Sequence, residues 1–228
     1  MNACWEREDE HYIRRLINQY PGTFLLKDDG MWGVIGRFQH YGRYYKTLGQ
    51  DDTMYIKIDD DILWMEPNAI KNLIDTRRGN PDPLLIVGNI VNNAYCNFKH
   101  QCLGVYDKTW DLEGFRAKDN YNGEFSEFAH NTLLNHIKRG TWDRVYRFPD
   151  DRVHGFRLPN HVYAVYGKDI TWSIDDEAAP TEGAASAERP VLVTGNSIFA
   201  HYAYGEQIGH MNLTDIRARY KKEIPHEG

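Results

Sequence analysis

Asp59-Asp60-Asp61 sets three carboxylates in a row directly after Met54-Tyr55-Ile56-Lys57-Ile58, a run that reads as a buried strand. At a spacing of about 5 Å and an effective dielectric near 20, each like-charged pair repels by roughly 3 kcal/mol. A divalent cation relieves that repulsion. Residues i and i+2 of an extended strand share a face. The alternation therefore puts Asp59 and Asp61 on one hard cation such as Mg or Mn. Asp60 then points the other way, toward an outer position or a sugar hydroxyl. The plain alternative is a solvated acidic turn. The apolar strand before the triplet, and Ile62-Leu63-Trp64-Met65 after it, favour a site. Ligands of open α/β sheets bind outside the carboxyl ends of strands. With no Walker-type Gly-rich loop nearby, the acidic pair points to a metal that bridges a diphosphate and neutralises a leaving phosphate.

Other residues leave two readings open. Asn89, Asn92 and Asn93 are hydrogen-bond donors to a sugar, or turn residues. Trp110, Trp142 and Trp172 stack on sugar faces, or pack in the core. His201, a single His in an apolar strand, reads on spacing alone as a satisfied core residue; His154, His161 and His210 rank below it as site candidates. Asp175-Asp176-Glu177 runs into an Ala- and Gly-rich stretch and reads as a solvated loop or as a source of a catalytic carboxylate.

These residues need elements to hold them. Apolar spacing predicts an amphipathic helix over Glu8–Tyr20, stopped by Pro21-Gly22. A short strand at Thr23–Leu26 and a helix over Met31–Thr47 follow. Pro67 sits as a first helical residue and opens a helix to about Arg78. Leu84-Leu85-Ile86-Val87 reads as a strand buried on both faces. Strands alternating with helices up to residue 90 predict an α/β fold with a mostly parallel sheet flanked by helices. The polar stretch 91–125 reads as a long loop, with a helix over Ser126–Arg139 and a strand at Val162–Tyr166 beyond it. Ala178–Arg189 reads as a surface loop, Val191–Val193 and Ile198–Tyr202 as two short strands, and Thr214–Lys222 as a helix.

The 228 residues suit one domain, 1–228, and neither an internal repeat nor a linker interrupts them. A net charge of −6 leaves no basic field for a phosphate backbone, which argues against nucleic-acid binding. Three Cys without a CxxC spacing read as free thiols of a reducing compartment, with a Cys96–Cys102 bridge as the other option. The sequence shows no secretion signal and no apolar run long enough to span a bilayer, so the expected location is cytoplasmic.

The segment YIKIDDDILWME resembles the DXD segment of GT-A-type glycosyltransferases. It is similar above all to a group of uncharacterised, largely fungal glycosyltransferase-like proteins. Asn80-Pro81, Val91-Asn92-Asn93, Asp175-Asp176-Glu177 and Ala200-His201-Tyr202 follow in the order that group shows, so the resemblance spans about residues 3–222. It implies a GT-A-like, Rossmann-like domain that uses Mn or Mg. Asp59 and Asp61 would hold the metal against the diphosphate of a nucleotide-sugar donor, with His201 completing the site. Asp60 would contact the ribose, and Asn92 and Asn93 would line the donor pocket. One of Asp175, Asp176 and Glu177 would take the proton from the hydroxyl of an unknown acceptor. The similar proteins carry a strand upstream of the segment matching Asn2-Ala3-Cys4. The expectation is that this chain begins inside the fold, lacks that first strand, leaves sheet edges unpaired and is weak or inactive on nucleotide sugars.

The expected function is thus metal-dependent sugar transfer. A Mg-dependent phosphohydrolase or nucleotidyltransferase is the alternative enzyme, marked by phosphate release without sugar transfer. A non-catalytic nucleotide- or sugar-binding protein of the same fold is the alternative outside enzymes, marked by binding without donor consumption.

Overall fold

The short apolar runs of this sequence become one six-stranded sheet, whose central strand pairing is set by a break in its longest strand. The computed structural model describes residues 7–24, 48, 51–114, 116–154, 161–170 and 189–223. Two units divide the chain: Met1–Leu48 with Ser173–Glu177, and Gly49–Trp172 with Ala178–Gly228. In the first, α1 (Arg7–Gln19) runs close to its predicted span. It ends in a turn in which Tyr20 N–H donates to Leu16 O (2.9 Å) and Gly22 takes a φ of +83°. The predicted strand 23–26 begins inside this turn; its remainder and the predicted helix over 31–47 lie outside the described residues.

In the second unit the strands are β1 (Met54–Ile58), β2 (Ile62–Met65), β3 (Leu85–Val91), β4 (Asp151–Val153), β5 (Val162–Tyr166) and β6 (Val191–His201). Their order is β1-β5-β3-β6-β2, with β4 also paired to β6. The pair β3·β6 is parallel, and β1·β5, β3·β5, β2·β6 and β4·β6 are antiparallel. This corrects the expected mostly parallel sheet. Adjacent parallel strands need a crossover of a dozen or more residues. Here only Asp59–Asp61 separate β1 from β2, so the two go to different neighbours. The continuous apolar run read as a strand buried on both faces is β3, the strand that makes the parallel pair.

The register between β3 and β6 shifts between Val87 and Asn89, which oppose Val193 and Ile198. The intervening bulge splits β6, with β4 on its first half and β2 on its last residues. Asn89 fills the gap: its amide donates to Tyr146 O (2.8 Å) and Gly195 O (3.3 Å) and pairs with His100 Nε2 (2.8 Å). The two short strands predicted for 191–202 are therefore one bulged strand.

Helices cover the two faces. On one, α2 (Ala69–Gly79) packs against β3, β5 and β6, and Ser197 donates to Ala69 O (2.6 Å). It starts two residues after Pro67 rather than on it. On the other, Ile198, Ala200 and Val91 join Phe125, Ala129, Leu133 and Leu134 of α4 (Gly123–Arg139) and Ile216 and Tyr220 of α6 (Leu213–Glu223). The stretch predicted as loop, 91–125, holds a helix, α3 (Ala94–Cys102), and a 3-10 turn at Lys118–Tyr121. The buried face of α3 includes Asn97 and His100, polar residues that hide its period from a hydrophobicity reading. A one-turn α5 (Trp142–Val145) follows α4. Cys96 and Cys102 are free thiols, and burial pushes the Cys96 thiol up to about 12.

Candidate functional site

Because β5 runs antiparallel to both β1 and β3, and β6 parallels β3, the strands β1, β3 and β6 share a direction. Their carboxyl ends meet at the acidic triplet. Asp59 N–H donates to His161 O (2.9 Å), Ile62 N–H closes back on Asp59 O (3.4 Å), and Tyr202 N–H donates to Asp61 O (2.9 Å). The triplet is thus a turn pinned between the start of β5 and the end of β6. Strand alternation does not extend into it, so it does not put Asp59 and Asp61 on one face.

The two carboxylates have different partners. Asp59 ion-pairs with Lys57, both largely buried. Asp61 Oδ2 lies 3.1 Å from His201 Nε2. Its other oxygen, Oδ1, is buried without a hydrogen-bond partner, although the side chain as a whole is 34% exposed. Asp60 is exposed on the turn. His201 is buried, and its Nδ1 donates to Asn92 O (3.0 Å). That bond turns Nε2 toward Asp61.

Two donor atoms 3.1 Å apart suit neighbouring ligands of an octahedral cation. Bonds of about 2.1 Å at right angles separate their ligands by about 3.0 Å. The orphaned Oδ1 adds a third donor atom, an oxygen of the right chemistry, at the same point. Among the described residues no three His, Cys, Asp or Glu side chains converge to hold a metal. Mg-type sites commonly use one or two carboxylates and take their other ligands from water and substrate phosphates. The donor set fits such a shared site and does not fit a closed protein cage.

His161, ranked low in the sequence, sits at the centre. Its ring centroid is 4.0 Å from that of His201, and its Nδ1 is buried without a partner. Burial first, then His201 and Lys57, push its proton affinity well below the ordinary histidine range, so it is neutral. The signal that marks it is pairing: it precedes the strand whose first residue, Val162, opposes Ile58. Tyr204 closes the group, its ring 4.9 Å from that of His201.

The asparagines divide. Asn93 caps α3, accepting from Tyr95 N (3.1 Å) and Cys96 N (3.4 Å), and its amide donates to Tyr204 Oη (3.0 Å). Asn92 has a φ of +63°, and its amide is engaged by Gln207 and by Tyr202 O. Both reach the site through Tyr204 and His201. Trp142 packs edge-on against Trp64 and Trp110 against Phe125, with centroids 5.6 and 5.3 Å apart. Asp175, Asp176, Glu177 and Trp172 lie outside the described residues.

No family model matches this chain, and neither the curated proteins nor the solved structures compared with it give a match. Among the described residues no helix is long and apolar enough to cross a membrane.

Proposed function

We propose that this chain is a cation-dependent glycosyltransferase that moves a sugar from a nucleotide-sugar donor to an acceptor. The observation that carries the proposal is the pair Asp61 Oδ2 and His201 Nε2, 3.1 Å apart beside the orphaned Asp61 Oδ1, where three strand ends meet. The resemblance of the YIKIDDDILWME segment to the DXD element supports the same reading. Asp61 and His201 hold Mn or Mg, with water and the donor diphosphate as the remaining ligands. The bound cation supplies charge neutralisation of the leaving diphosphate. Asp60, exposed at the tip of the turn, contacts the donor ribose. The acidic segment Asp175-Asp176-Glu177 supplies the carboxylate that takes the acceptor proton.

The test is a melting series with Mn, then Mn with nucleoside diphosphates, followed by donor turnover. A cation that binds only the folded state at a hundred times its Kd stabilises by about 2.7 kcal/mol. In a domain of this size that is a rise of roughly 5–10 °C. Asp61→Ala should remove the rise and leave a folded protein. A Mn-induced rise that persists in Asp61→Ala refutes the site. Metal-dependent phosphate release without sugar transfer replaces transfer with hydrolysis.

A further inference from the structure

One residue holds both His201 and its neighbour Tyr202. Asn92 O accepts the His201 Nδ1–H (3.0 Å), and Asn92 Nδ2 donates to Tyr202 O (3.2 Å). Asn92 does this from a φ of +63°, a region that asparagine enters more readily than most residues but that needs support. Gln207 gives that support. Its amide exchanges two hydrogen bonds with the Asn92 amide, at 3.0 and 3.1 Å. The remaining Gln207 valences are fixed as well: Nε2 donates to Asn120 O (3.0 Å) and Oε1 accepts from Tyr204 N (2.9 Å). Both side chains are fully buried.

From this geometry we infer that Gln207 is a positioning residue for His201, acting through Asn92. The amide pair holds Asn92 in its left-handed conformation. The Asn92 carbonyl thereby keeps the proton on His201 Nδ1, and Nε2 stays free to face Asp61 and a cation. An ordinary buried amide pair would tie two loops together and no more. Here the strained backbone, the carbonyl aimed at a ring nitrogen and the grip on Tyr202 O all converge on one imidazole. The inference rests on the proposed cation site for its functional consequence, but its structural core can be read without metal.

The experiment compares wild type with Asn92→Ala, Gln207→Leu and Asp61→Asn. Mn affinity is measured by titration, and the His201 Nδ1–H resonance is followed in protein labelled with 15N-histidine. Wild type should show a slowly exchanging Nδ1–H. Asn92→Ala and Gln207→Leu should lose that protection, and their Mn affinity should fall roughly 10–100-fold, the usual effect of removing a partner that orients a ligand. Asp61→Asn should lose Mn affinity yet keep the protected Nδ1–H, which separates ligand from positioning residue. Asn92→Ala decides alone if Gln207→Leu does not fold, because alanine keeps the carbonyl but has no amide for Gln207 and holds a positive φ only with strain. A retained Nδ1–H signal in Asn92→Ala overturns the inference, as does Mn affinity in the two positioning variants equal to that of a wild type that binds Mn. A wild type that takes up no Mn removes the proposed function instead, and the resonance alone then decides the positioning role.

Discussion

Asp61 and Asp59 carry the same side chain two positions apart in one turn, yet they meet opposite chemistry. Asp59 faces a lysine, while Asp61 faces a histidine nitrogen and leaves one oxygen buried without a partner. A cation entering at Asp61 gains an acceptor that nothing else satisfies. At Asp59 it would have to displace Lys57 first. The two should therefore separate by substitution. Asp61→Asn is expected to weaken Mn binding at least tenfold, about 1.4 kcal/mol, and Asp59→Asn by less than that. Equal losses, read by Mn titration of both variants, would mean that Asp59 leaves Lys57 to join the cation. His161 adds a residue-scale point of its own. Its buried, neutral imidazole lies tilted against the ring of His201 and excludes water from that side of it.

The bulge in β6 is the element on which the site depends. It lets one strand serve β4 with one half and β2 with the other, and so brings His201 alongside Ile62. Gly195 makes it feasible. A Cβ at that position would lie 1.8 Å from Phe148 O, a backbone atom that cannot swing away. Gly195→Ala should therefore cost more than the roughly 1–3 kcal/mol of ordinary overpacking. It should also lower the metal-induced stabilisation, because His201 shares the strand. A denaturant midpoint close to wild type would show that the bulge tolerates a side chain. This element also marks what the sequence reveals. The runs Met54–Ile58 and Val162–Tyr166 are legible to the residue, being apolar and bounded by turn-forming neighbours. The break between the two short strands read at Val191–Val193 and Ile198–Tyr202 is in fact a bulge inside a continuous strand. Helix α3 is masked by its buried Asn97 and His100, whose partners lie in distant segments. The site divides in the same way. The acidic triplet stands out locally, whereas the approach of Asp61 to His201 brings together residues 140 positions apart and only the motif resemblance hints at it. The Asn92–Gln207 pair leaves no local trace: Asn92 reads as a sugar-site or turn residue, and nothing in the sequence singles out Gln207.

At the scale of the larger unit, polar side chains are built into the core, and that makes its stability depend on pH. His100 lies under the β6 bulge, where burial pushes its proton affinity down to about 3. His130 lies between α4 and α6, bonded to Tyr220 Oη (3.0 Å) and Tyr202 O (2.9 Å); burial chiefly, with His201 and Arg219, pushes it down to about 4. An unfolded chain protonates both near 6.5. Below that pH the unfolded state binds more protons than the folded one, so acid favours unfolding. The stability present above pH 6.5 is lost progressively as the pH falls, down to about 4 for His130 and about 3 for His100. Each histidine contributes a slope of up to about 1.4 kcal/mol per pH unit, so the pair gives up to about 2.7. Against a typical total of about 5–15 kcal/mol, two units of acidification remove a large part of the fold's margin. Urea midpoints at pH 7.5, 6.5, 5.5 and 4.5 should be flat over the first step and then fall steeply. His100→Gln keeps a donor toward Asn89 Oδ1 without an ionisable ring. It should flatten the acid limb by about one histidine's slope, roughly 1.4 kcal/mol per unit. An acid limb as steep as wild type in that variant would mean that His100 does not stay neutral in the folded core.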